Sequence, residues 1–115
     1  MTRIISIHEY VLKPGIDAVA FERAVRAAEA RRLFDLPGLV EYRFVRGIKG
    51  QRRDGLAAIW VYESREAWER LWGSPDRPRE PAAYPAGWQA WENEILAPLL
   101  AEAPDAIAFT AYEEF

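Results

Sequence analysis

The chain has 115 residues, half of them apolar, and a formal net charge of -3, which suits one domain over 1–115 with a core that needs no cross-links. It contains no Cys and a single His, so disulfides, thiolate metal sites, Cys nucleophiles and a His-rich metal site are excluded. The mild acidity argues against a general nucleic-acid binder. No run approaches the roughly 18 apolar residues that span a bilayer, so we expect no membrane partner.

Residues 3–12 are rich in β-branched and aromatic types and predict a first strand. Both faces of this strand carry apolar residues, so we expect it to be buried on both sides. Lys13, Pro14 and Gly15 should end it, because Pro cannot donate a ladder hydrogen bond. The segment lacks the charged start, apolar middle and cleavage site of a signal peptide, so we expect a cytoplasmic protein.

A helix is predicted over 18–33, with Asp17 as its N-cap. Its apolar residues recur at helical spacing and form one stripe, which consists of Phe21, Ala24, Val25 and Ala28. Arg31 and Arg32 should lie in the last turn, where cations suit the helix dipole.

Two strands, over 39–48 and 56–63, are separated by the glycine-bearing loop GIKGQRRDG and predict an antiparallel hairpin. The basic residues of this loop, Lys49, Arg52 and Arg53, are typical of a solvated hairpin tip, although they could also hold an anion. Ser64 should cap a second helix over 65–72, which Gly73 ends.

Residues 74–85 hold four of the eight prolines and predict an extended loop that is neither helix nor strand. Such a length is unusual in a compact domain and indicates a functional segment or an arm that embraces a partner. A helix over 86–97 should follow, with Pro98 ending or kinking it, and a last strand over 107–112.

The element order β-α-β-β-α(α)-β predicts an α+β protein with the ferredoxin-like split βαβ arrangement. Its antiparallel four-stranded sheet has helices on one face only. The strands carry apolar residues on both faces, and a bare apolar face indicates a partner. The simplest partner is a second copy, which would make a homodimer through the sheet face and close a dimeric α+β barrel.

Three short motifs resemble the dimeric α+β barrel superfamily, which includes antibiotic-biosynthesis-monooxygenase-like and stress-responsive proteins. They are Leu12–Gly15 before the first helix, Pro37-Gly38 before the strand that holds Tyr42, and Trp60–Ser64 running into Glu66, Ala67 and Trp68. The resemblance implies a homodimer with a central β-barrel and a pocket between the sheet and the helices of each subunit.

Members of this superfamily include cofactor-free quinone-forming monooxygenases, haem-degrading enzymes, isomerases and proteins without known activity. Many carry a His in the helix that follows the Ser-x-Glu-Ala stretch, where this chain has Leu71 and Trp72. The missing His argues against haem chemistry. We therefore expect no cofactor and no bound metal, and the resemblance leaves open whether the protein is an enzyme.

His8 is the one side chain that titrates near neutrality when unperturbed. It could project from the first strand into the pocket as a general base or as a hydrogen-bond donor to the substrate. It could also be a satisfied, half-buried strand histidine, because no orienting partner can be assigned from the sequence.

Aromatic residues are the candidate ligand-binding groups, since binding sites are mostly apolar with a few placed polar groups. The strands supply Tyr10, Tyr42, Trp60 and Tyr62, and the second helix supplies Trp68 and Trp72. Core and dimer packing would explain the same residues. Five Trp exceed what one small core needs, which favours a pocket for a small aromatic or hydrophobic molecule.

No carboxylate pair can be recognised, because Glu9, Glu41, Glu63 and Glu92 are spread singly along the chain. Three hypotheses therefore stay open. The protein could be a cofactor-free monooxygenase-like or isomerase-like enzyme, a non-catalytic ligand-binding or stress-related dimer, or a purely structural interaction module. A structural module would gain support if no cavity larger than about 300 Å³ lay beside the helices.

Overall fold

A computed structural model describes residues 2–115, and Met1 of the predicted domain lies outside the described residues. Four strands form one antiparallel sheet: β1 (Ile4–Tyr10), β2 (Leu39–Arg46), β3 (Leu56–Tyr62) and β6 (Phe109–Glu113). Their spatial order is β2-β3-β1-β6. This arrangement confirms the predicted α+β ferredoxin-like fold with its four-stranded antiparallel sheet.

The helices begin at the predicted caps. Helix α1 spans Ala18–Ala30, and Asp17 Oδ1 accepts a hydrogen bond from the Ala20 amide at 2.9 Å. Helix α2 spans Arg65–Trp72, and Ser64 Oγ accepts from the Ala67 amide at 3.1 Å. Each cap satisfies one backbone N–H that has no partner inside its helix.

Helix α1 ends three residues earlier than predicted, so the expectation that its last turn holds Arg31 and Arg32 is wrong. Arg31 is the C-cap residue, and Arg32 adopts a left-handed conformation with a φ of 58°. The Arg31 guanidinium instead pairs with Glu94 at 3.0 Å, and Arg32 pairs with Asp35.

The proline-rich segment is more ordered than the sequence indicates. Two-residue strands β4 (Gly73–Ser74) and β5 (Arg77–Pro78) pair as an antiparallel ribbon, and a 3₁₀ turn follows at Pro81–Ala83. The prediction of an extended loop without helix or strand is therefore wrong. We call residues 73–85 the strap.

The last helix changes its geometry part-way. Helix α3 spans Ala86–Ala90 and continues as a wider π-type turn over Trp91–Leu96. The Ala97 amide donates to the Glu92 carbonyl five residues earlier, at 2.9 Å. Pro98 cannot donate a backbone hydrogen bond, and the helix ends before it, as predicted. A 3₁₀ turn at Pro104–Ala106 then leads into β6.

The helices cover one face of the sheet. On β1, Ile4, Ser6 and Tyr10 face the helices and are buried, whereas Ile5 and Ile7 on the other face are half-exposed. The sequence predicts burial of β1 on both faces, and within the single chain it is found on one face of the strand. Among residues 2–115, no helix combines the length and apolar character needed to cross a membrane.

Candidate functional site

A cavity of about 470 Å³ lies between the helix-covered face of the sheet, α2, α3 and the strap. Its lining from the sheet comprises Ser6, His8, Tyr62, Phe109 and Ala111. The helices and turns contribute Trp68, Trp72, Tyr84, Trp88, Glu92, Asp105 and Ile107. The volume exceeds about 300 Å³, the lower end for ligand sites. The hypothesis of a purely structural module predicts no such cavity, so it gains no support here.

Aromatic rings form the walls of this cavity. The ring centre of Trp72 lies 5.1 Å from that of Tyr84 and 5.2 Å from that of Trp88, both in edge-to-face arrangements. Tyr62 meets Trp72 at 6.5 Å, also edge to face. These distances are those of favourable aromatic pairs, so packing between the rings holds the walls in place without a ligand.

The strap closes one side of the cavity and is held there by hydrogen bonds to its backbone. The Arg79 amide donates to the Trp72 carbonyl at 2.8 Å. The Gln89 side chain donates to the carbonyls of Ala82 and Tyr84, at 3.1 and 2.8 Å. Helix α3 therefore holds the strap segment that presents Tyr84 to the cavity.

Gly73 makes the turn into the strap possible. Its φ is 84°, which L side chains rarely adopt. A Cβ at this position would lie 2.4 Å from the Arg77 carbonyl oxygen and 2.7 Å from the Arg79 nitrogen. The close approach of β5 therefore requires glycine here.

His8 occupies the sheet side of the cavity and is neutral at physiological pH. Its ring centre lies 5.6 Å from Phe109 and 5.9 Å from both Trp60 and Trp88. This packing desolvates the ring and lowers the pKa of His8 to about 4. Nε2 shares a hydrogen bond with Ser6 Oγ at 3.1 Å, which supplies the orienting partner that the sequence could not assign.

Glu92 is the titratable group of the cavity whose pKa lies near neutrality. Burial raises the pKa of this carboxyl group to about 7, and the negative charge of Asp105 adds to the increase. The nearby Trp88 indole acts in the opposite direction. A carboxyl group with this pKa can accept or donate a proton at physiological pH.

The structure brings together four of the seven site residues predicted from the sequence. His8, Tyr62, Trp68 and Trp72 line the cavity, whereas Tyr10, Tyr42 and Trp60 do not. The location of these seven residues does not test the roles proposed for them, which stay predictions.

Tyr10 and Trp60 lie in the core behind the cavity. Tyr10 Oη, Trp60 Nε1 and Trp91 Nε1 are buried without a hydrogen-bond partner among the described residues. Burial strongly raises the pKa of the Tyr10 phenol. The Trp60 ring packs against Trp88 of the cavity wall, with ring centres 5.0 Å apart.

Tyr42 borders a second groove between α1 and β2, which has a similar volume of about 490 Å³ but is more open to solvent. Its hydroxyl donates a hydrogen bond to Glu29 at 2.6 Å, and burial together with this bond raises the pKa of Tyr42 to about 12. Charged surface residues, including Glu22, Arg26 and Arg43, border this groove. The aromatic cavity is therefore the better candidate for a ligand site.

The cavity has four further lining residues that are not among the site residues predicted from the sequence: Trp88, Glu92, Tyr84 and Asp105. One signal was present, because Trp88 and Glu92 are four residues apart and share a helix face. Tyr84 and Asp105 follow proline-containing turns, whose course a periodicity argument does not predict.

No protein-family model matches the sequence, and no curated protein matches it. Comparison with solved structures, in contrast, gives matches along the whole chain. One is a proposed antibiotic biosynthesis monooxygenase from Bordetella bronchiseptica, with a TM-score of 0.64 and 15% identity over 100% of this chain and 99% of the other.

Two further neighbours extend the comparison. A dimeric ferredoxin-like protein of unknown function from Thermobifida fusca has a TM-score of 0.59 at 16% identity and covers 98% of this chain and 90% of its own. SnoaB from Streptomyces nogalater, described as a cofactor-independent oxygenase, has a TM-score of 0.57 at 13% identity and covers 100% and 93%.

This chain shares their fold. The resemblance drawn from the three sequence motifs is thereby confirmed at the level of architecture. At identities this low the similarity establishes the fold alone.

Proposed function

We propose that the cavity binds a small, flat aromatic molecule and that the protein is a cofactor-independent, monooxygenase-like enzyme. The observation that carries this proposal is the partly enclosed cavity of about 470 Å³, whose walls are aromatic and whose polar groups are few. Ligand sites have this size and composition. The cofactor-independent oxygenase among the structural neighbours supports the reaction class.

In this proposal Glu92 is the general base and His8 positions the substrate. A base works best when its pKa lies near the working pH, which is the case for Glu92 at about 7. His8, with a pKa of about 4, is a poorer base at neutral pH. Its neutral ring remains able to share hydrogen bonds with a substrate and with Ser6.

The reaction would start with removal of a proton from an activated CH₂ group of the substrate by Glu92. The resulting electron-rich carbanion transfers electrons to O₂, one oxygen atom becomes a ring carbonyl, and the other leaves as water. The balance is R₂CH₂ + O₂ → R₂C=O + H₂O, in which the substrate supplies all four electrons. The aromatic walls would limit the access of bulk water to the carbanion.

We also propose that two copies pair through the sheet face that carries no helices. Ile5, Ile7, Ile59 and Val61 form an apolar strip there, opposite one another in the strand register. The Thermobifida fusca neighbour is described as dimeric, which supports this arrangement.

The binding proposal is tested by calorimetric titration with a neutral bicyclic aromatic compound, 1-methylnaphthalene. We expect binding that is lost in Ala111→Phe, because Ala111 lines the cavity and the larger side chain fills it. The control is Ala27→Phe on the exposed side of α1. Equal binding by both variants would reject the cavity as the site.

The catalytic proposal is tested by O₂ uptake with an anthrone-type substrate. We expect Glu92→Gln to lower kcat at least 100-fold, the scale of general-base catalysis, and His8→Ala mainly to raise KM. Unchanged binding and turnover in His8→Ala would reject its role. Binding without O₂ uptake in the wild-type protein would favour the non-catalytic ligand-binding alternative.

A further inference from the structure

The charges that line the cavity are all of one sign. Glu92 and Asp105 both border it, whereas no Lys or Arg is among its described lining residues. His8 is neutral because packing lowers its pKa to about 4. Within residues 2–115, neither Glu92 nor Asp105 forms a salt bridge, so their charge is left to a ligand or to solvent.

The aromatic walls complement this charge. The ring centre of Trp72 lies 5.1 Å from that of Tyr84 and 5.2 Å from that of Trp88. Glu92 follows Trp88 by one helical turn and lines the same cavity. Aromatic ring faces attract cations through their quadrupole, and aromatic cages recognise quaternary ammonium groups in this way. Rings and carboxylates therefore favour the same charge on a ligand.

The proposed reaction leads to the same requirement. Transfer of a proton from a neutral substrate to Glu92 would neutralise this carboxylate and create an anion near Asp105, in a cavity without a protein cation among its described lining residues, where like charges repel. A substrate that already carries a positive charge becomes neutral overall when it loses the proton. The positive charge would thus compensate the developing negative charge that the protein leaves unpaired.

On this basis, which rests on the proposed function, we propose that the ligand of this cavity is an aromatic organic cation, a fused ring system that carries a quaternary or protonated amine. The ring packs against the aromatic walls, and the positive charge faces Glu92 and Asp105. A carboxylate-bearing or phosphorylated aromatic compound is disfavoured by the same groups.

Three bicyclic probes of similar shape test this proposal by calorimetric titration at pH 8. They are N-methylquinolinium as the cation, 1-methylnaphthalene as the neutral compound and 1-naphthoate as the anion. We expect the cation to bind at least tenfold more tightly than the neutral compound and the anion to bind most weakly. We also expect the cation preference to fall at pH 5.5, because most of Glu92 is then protonated.

A substitution assigns the preference to the cavity. Asp105→Asn should lower the ratio of cation to neutral affinity several-fold, whereas Glu94→Gln, two residues from Glu92 but paired with Arg31, should leave the ratio as it is. Equal binding of cation and neutral compound, or tighter binding of the anion, would overturn the charge inference and leave the aromatic site standing. Failure of all three probes would overturn both proposals.

Discussion

At the scale of single residues, the Glu92 carboxyl group is held near its ionisation midpoint by its surroundings. Burial is the largest cause, and the nearby carboxylate of Asp105 is the next. His8 of β1 lines the same cavity as a neutral ring, and burial raises the pKa values of the Tyr10 and Tyr84 phenols. No positive charge among the cavity lining residues offsets these effects.

Glu92→Gln should make the protein more stable at pH 8 and leave its stability unchanged at pH 4. The folded state holds the Glu92 proton more tightly than the unfolded state, so the stability linked to that proton is lost as the pH rises from 4.5 to about 7. After allowance for solvent screening of this half-buried group, we expect the free energy of unfolding to increase by about 1–2 kcal/mol at pH 8. Urea unfolding at the two pH values measures it, and an equal change at both would contradict it.

His8 should produce the opposite dependence on pH. Its pKa is lowered in the folded state, from 6.5 to about 4, so the stability linked to its neutral form is present above pH 6.5 and lost as the pH falls towards 4. The comparison is made in a Glu92→Gln background. As the pH falls from 7.5 to 4, the free energy of unfolding of the His8→Gln variant should rise by about 2–3 kcal/mol relative to its His8 parent. A difference that is constant with pH would show that the ring is not desolvated in solution.

At the scale of elements, the strap is the part of the fold that completes the cavity wall. Gly73→Ala should weaken 1-methylnaphthalene binding at least tenfold, because the added Cβ would overlap the backbone of Arg77 and Arg79 and displace β5. Gly15→Ala is the matched control. Gly15 has the same φ of 84° but nothing within 4 Å of its added Cβ, so this variant shares the backbone strain without the clash. Equal loss of binding in both variants would contradict a specific role of the strap.

The elements that the sequence predicts well are those with local signals. Asp17 and Ser64 cap α1 and α2 as expected, because a side-chain cap depends on neighbouring residues alone. The hairpin of β2 and β3 follows from alternation and a glycine-bearing loop. The ribbon in the strap depends on a contact between Gly73 and Pro78, for which the proline-rich sequence carries no periodic signal.

The site is less predictable than the fold, because its residues converge from distant segments. Alternation along β1 assigns Ser6, His8 and Tyr10 to one face, yet does not tell which of them borders open space. The register with β3 and the packing of Trp88 decide this, since Tyr10 is enclosed in the core and His8 borders the cavity. Asp105 comes close to Glu92 because the chain returns to the cavity after Pro104, and residue spacing does not reveal this return.

At the scale of the whole molecule, the uncovered sheet face is the surface that a second copy would bury. Ile7 of β1 is the direct cross-strand neighbour of Ile59 on β3, and Ile5 is that of Val61. Ile5, Ile7 and Ile59 are partly exposed there, whereas Val61 is only 9% exposed in the single chain. A partly exposed apolar strip favours an interaction site. Because a two-fold axis would place the same strip on both subunits, a single substitution would act twice at the proposed interface.

Ile59→Lys should therefore convert a dimer into a monomer. Two lysines brought together on an apolar interface would be desolvated and would repel each other. Light scattering coupled to gel filtration at micromolar concentration should give a mass near 26 kDa for the wild-type protein, about twice the 13.2 kDa of one chain, and half that value for the variant. Val19→Lys is the control. Val19 is apolar like Ile59, but it lies on α1, where it is 55% exposed. A wild-type monomer, or a variant that remains dimeric, would reject pairing through this face.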